Sequence, residues 1–109
     1  MLQQIEELLN APTTGDDAPS LEHMEDTLTE GYAHALALEA EQWRLERRLG
    51  EVARTVGGPD PDISGFAEEL SQLSKRLTSA EGELTRLRAR LGSLHDRART
   101  MRRAARANH

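Results

Sequence analysis

Apolar residues recur through the second half of the chain at alternating steps of three and four: Ile63, Phe66, Leu70, Leu73, Leu77, Ala80, Leu84, Leu87, Leu91, Leu94, Ala98, Met101 and Ala105. A sustained seven-residue period keeps one narrow apolar seam turned toward a neighbouring helix, so this run predicts a coiled-coil helix. The first half repeats the pattern with Leu21, Met24, Leu28, Gly31, Ala35, Leu38, Gln42, Leu45, Leu49, Val52 and Val56. Between the runs lies Gly57-Gly58-Pro59-Asp60-Pro61-Asp62. Its glycines tolerate unusual backbone angles, its prolines lack an amide donor, and its aspartates suit turns and helix starts, so a helix stop, a tight turn and a new helix are predicted.

Two seams joined by a short connection favour antiparallel neighbours. Pairing positions whose numbers sum to about 122 sets Val56 against Phe66, Leu38 against Leu84 and Leu21 against Met101. The charges fit the same register. Residues 1–43 carry ten acidic residues and no Lys or Arg, whereas residues 75–109 carry ten basic and three acidic ones. Laid side by side, Glu41 flanks Arg76, Arg48 flanks Glu69, Glu39 flanks Arg88 and Glu25 flanks Arg102. Exposed pairs add little stability, and their value is in selecting orientation and register. The expected fold is all-α: an antiparallel two-helix coiled-coil hairpin with arms of about 36 and 44 residues, or roughly 54 and 66 Å.

Residues 1–19 stand outside this hairpin, which occupies 20–109 with its turn near 57–62 and a basic helix end at 99–109. Leu2, Ile5, Leu8 and Leu9 with Glu6 and Glu7 predict about two turns of amphipathic helix, too short to be stable without a surface to rest on. Asn10 to Ser20, with Pro12, Gly15 and Pro19, reads as a linker ending at an Asp17 or Ser20 N-cap. In the first long helix Tyr32, Leu36 and Trp43 lie off the seam at offsets of four and seven, forming a second apolar stripe. Such a stripe is expected to be an interface, most simply with a second copy in a four-helix bundle. The alternative is that the N-terminal segment folds back to cover it, with Leu2, Ile5 and Leu9 as the lid. Gly31, in the seam opposite Leu91, is expected to admit a close helix approach.

Composition narrows the function. With 37% hydrophobic and 3% aromatic residues there is too little material for a wide globular core. No cysteine is present, which excludes disulfides and thiolate metal sites. His23, His34, His95 and His109 show no metal-binding helical spacing, and no glycine-rich phosphate loop occurs, so neither a cofactor nor an enzyme is expected. No apolar stretch is long enough for a membrane span and the first residues lack signal-peptide character, so a cytoplasmic location is expected. A non-enzymatic scaffold or adaptor follows, one that self-associates as a homodimer and binds a further protein. The alternative is a nucleic-acid-associated accessory protein using the basic patch Arg99, Arg102, Arg103 and Arg106. The net charge of −5 and the lack of a base-reading motif weigh against it.

Overall fold

The computed structural model describes residues 1–56 and 63–107, except for the side chains of Val56, Ile63 and Ser64. The predicted turn at 57–62 lies outside the described residues. Three helices appear: α1 (Leu2–Asn10), α2 (Leu21–Val56) and α3 (Ile63–Ala107). Their lengths of 9, 36 and 45 residues fit the absence of any proline inside them. At the end of α1, Ala11 adopts an extended conformation before Pro12, because the proline ring disfavours a helical residue ahead of it. Gly15 has φ of +91°, a left-handed angle that favours glycine, and its carbonyl accepts a hydrogen bond from the Ala18 amide at 3.2 Å. Ser20 is the N-cap of α2. Its Oγ accepts from the His23 amide at 3.1 Å, satisfying one of the four amides that a helix start leaves without a partner.

The chain forms two compact units. In the unit made of Ala37–Leu84, α2 packs on α3 through Leu45, Val52, Leu73 and Ala80, with Leu49, Phe66, Leu70 and Leu77 half-buried against them. Glu41 meets Arg76 at 3.7 Å and Arg48 meets Glu69 at 2.6 Å. Ascending α2 therefore means descending α3. Hydrogen bonding to Glu69 and then its charge raise the Arg48 guanidinium above its ordinary value.

The other unit comprises Met1–Leu36 and Thr85–His109 and contains three helical segments. Its core is Ile5 and Leu8 from α1, Met24, Leu28 and Ala35 from α2, and Leu87, Leu91, Leu94 and Ala98 from α3. Here too partners follow in reverse order, with Gly31 against Leu91 and Glu25 against Arg102 at 2.8 Å. Full burial of one Leu or Ile side chain is worth about 1.5–3 kcal/mol. Every predicted seam position with a described side chain is buried or half-buried except Ala105. By the predicted pairing Leu21, the first residue of α2, already meets Met101, so no residue of α2 is left to cover the last turns of α3.

Candidate interaction surfaces

α1 rests on both long helices. Gln4, Glu7 and Leu8 face His23, Asp26, Thr27 and Glu30 of α2 across one crevice, while Leu2 and Glu6 face Thr85, Arg86, Ala89 and Arg90 of α3 across another. Ile5 enters between them and is fully buried; its Cδ1 lies 3.6 Å from where a Cβ would stand on Gly31. That same Cβ would collide with Leu91 Cδ2. Gly31 is thus the point where three helices converge, and the missing side chain is what lets them approach. Beside it Thr27 is buried off the heptad seam, its hydroxyl satisfied by donating to the His23 carbonyl at 2.9 Å.

Two arginines of α3 hold α1 in place. Arg90 donates to Glu6 at 3.2 Å. Arg97 donates to the backbone carbonyls of Leu9 and Ala11, groups that the end of a nine-residue helix leaves without intrahelical partners. A guanidinium there also meets the negative end of the helix dipole. Arg97 lies two residues before the basic patch in the sequence, and the fold uses it internally. Nothing in its sequence surroundings distinguishes it from Arg99 or Arg103, because its role depends on where α1 docks.

Tyr32, Leu36 and Trp43 remain exposed, at 46%, 65% and 70% of their full surface. Tyr32 and Leu36 belong to the three-segment unit and Trp43 to the other. The lid residues take a different place from the one expected of a cover over this stripe. Ile5 is buried toward Gly31 and Leu91, Leu2 and Leu9 are half-buried, and Tyr32 and Leu36 stay open. Around Trp43 the α2 surface forms a shallow groove with Glu46, Arg47, Gly50, Glu51 and Arg54, where charges of both signs surround the indole.

In the basic patch, Arg99, Arg103 and Arg106 are exposed and Arg102 is half-buried, its guanidinium donating to Glu25 at 2.8 Å. These four side chains line one crevice at the end of α3. Among the described residues no group of three His, Cys, Asp or Glu side chains is placed to hold a metal, and no helix is long and apolar enough to cross a membrane. No protein-family model, curated protein or solved structure matches the chain.

Proposed function

We propose that the chain is a non-enzymatic adaptor: α2 and α3 form an antiparallel coiled-coil hairpin, and two hairpins associate through α2 into a four-helix bundle that presents itself to a further protein. The observation that carries this reading is the exposure of Tyr32, Leu36 and Trp43 on α2. The sole Trp and sole Tyr of the chain lie outside the core, on a helix whose apolar seam is already occupied. Aromatic side chains left in water while smaller residues fill the core mark a contact surface, since they are the residues that anchor interfaces. The period-seven seams and the reversed order of Glu41–Arg76 and Arg48–Glu69 support the hairpin. A second copy is the simplest occupant, because a two-fold contact uses one patch twice and adds core to a small scaffold.

Sedimentation equilibrium over a range of concentrations tests this reading. The wild type should dimerise, and Leu36→Glu combined with Trp43→Glu should give a monomer with unchanged helicity, since it replaces two apolar anchors on each chain by charged side chains that a two-fold contact would bury. A wild type that stays monomeric at every concentration refutes self-association.

One observation favours a second reading, an accessory role with nucleic acid: Arg99, Arg103 and Arg106 are exposed at steps of four and three along one face of α3. Phosphate contacts release counterions, so such binding must fall steeply as salt rises. Binding to duplex or single-stranded DNA that is absent at low salt removes this alternative.

A further inference from the structure

We infer that the crevice holding α1 is a docking site for a short amphipathic helix of another protein, acidic on one flank and basic on the other, and that α1 is its built-in, weaker occupant. The two walls of the crevice differ in charge. On the α3 side Arg86 and Arg90 face α1, and Glu6 answers them. On the α2 side Asp26 and Glu30 face α1, yet α1 presents Glu7 to them, with His23 as the remaining titratable neighbour. Glu7 offers these carboxylates no opposite charge, so α1 answers one wall and leaves the other without a counter-charge.

The third contact, Arg97, reads no sequence at all. Its guanidinium takes the terminal carbonyls of a helix that stops there, and any helix of that length offers the same groups. Its Nε is buried without a hydrogen-bond partner, a donor that α1 leaves unused. Glycine at position 31 keeps the floor low enough for one branched apolar side chain, supplied here by Ile5. The site therefore specifies a partner. It is a helix of two to three turns with a branched residue at its centre, acid toward Arg86 and Arg90, and Lys or Arg in place of Glu7.

α1 also has the attributes of a segment that lets go. A nine-residue helix is not stable by itself, it buries only Ile5 and Leu8, and the linker that tethers it contains Pro12, Gly15 and Pro19. A partner helix would displace it without disturbing Tyr32, Leu36 or Trp43, so this proposal goes beyond self-association through α2 and does not depend on it.

The test adds two synthetic amidated peptides covering residues 1–11, one native and one with Glu7→Lys, to the full-length chain. Binding and amide hydrogen exchange of α1 are followed together. Replacing a like charge by an opposite one at a partly exposed site should make the Glu7→Lys peptide bind about fivefold tighter. Its binding should speed exchange of α1 as α1 is released. Arg97 serves α1 and the peptide alike, so Arg97→Ala should speed α1 exchange before any peptide is added. The proposal is overturned if the two peptides bind equally, if they bind without accelerating α1 exchange, or if Arg97→Ala leaves α1 exchange as slow as in wild type.

Discussion

Gly31 and Gly92 are both helix-interior glycines, yet adding one methyl group should stabilise the chain at Gly92 and not at Gly31. Alanine in place of glycine in a helix gains roughly 0.5–1 kcal/mol, because the unfolded chain loses backbone freedom. At Gly92 nothing beyond the adjacent residues and the local helix backbone lies within 4 Å of the new Cβ, so the gain is realised in full. At Gly31 the Cβ would overlap Leu91 Cδ2 and stand 3.4 Å from Leu91 Cγ and 3.6 Å from Ile5 Cδ1. Leu91 is buried against its neighbours and Ile5 is completely enclosed, so neither can move aside freely. Overpacking of this kind costs about 1–3 kcal/mol, which cancels or exceeds the helical gain. Gly31→Ala should therefore be neutral to about 2 kcal/mol destabilising, while Gly92→Ala is stabilising. Urea melts followed by circular dichroism give both values, and a 1 kcal/mol difference corresponds to roughly 4–8 °C in Tm for a domain of this size. If Gly31→Ala stabilises as much as Gly92→Ala, the three helices do not converge at Gly31.

Other substitutions examine other contacts. Leu84→Ala should cost about 2–4 kcal/mol through lost burial and an unfilled cavity, whereas Thr78→Ala at an exposed position of the same helix should cost well under about 0.5 kcal/mol; equal losses in a denaturant melt would contradict the seam. Ser20→Ala removes the hydroxyl that caps α2 and should lower stability by about 1 kcal/mol, and Ser20→Asp should restore it. Arg97→Ala should abolish hydrogen-exchange protection in α1 while leaving the Glu41–Arg76 unit as protected as before, and uniform loss throughout the chain would contradict an anchoring role.

The long helices were legible in the sequence because a strict period of seven has one structural meaning. Met24, Leu45, Leu73, Leu87 and Leu94 announce a buried seam by spacing alone. The paired charges Glu25–Arg102, Glu41–Arg76 and Arg48–Glu69 were legible for the same reason, since each flanks a seam position whose partner is fixed by register. The seat of α1 was not. A two-turn segment with Ile5 and Leu8 on one face declares that it needs a surface but not which, and the stripe of Tyr32, Leu36 and Trp43 was as plausible a target as the notch at Gly31. The signals that favoured the notch were a glycine in the seam and the off-seam Thr27 one turn before it. Each becomes informative only once a third helix is placed there. Arg97 was hidden more deeply, because its partners are backbone carbonyls, which no sequence pattern reveals.

The exposure of Trp43 makes the central claim measurable, since it is the only tryptophan in the chain and its fluorescence reports on one place. Acrylamide quenching across a dilution series, read beside the sedimentation-derived dimer fraction, follows that place directly. If two copies associate through α2, quenching should be efficient at low concentration and should fall as the protein dimerises, with both curves sharing one midpoint. A dimer whose Trp43 is quenched as freely as in the monomer, or a chain that remains monomeric while Trp43 stays accessible, would contradict association through this face.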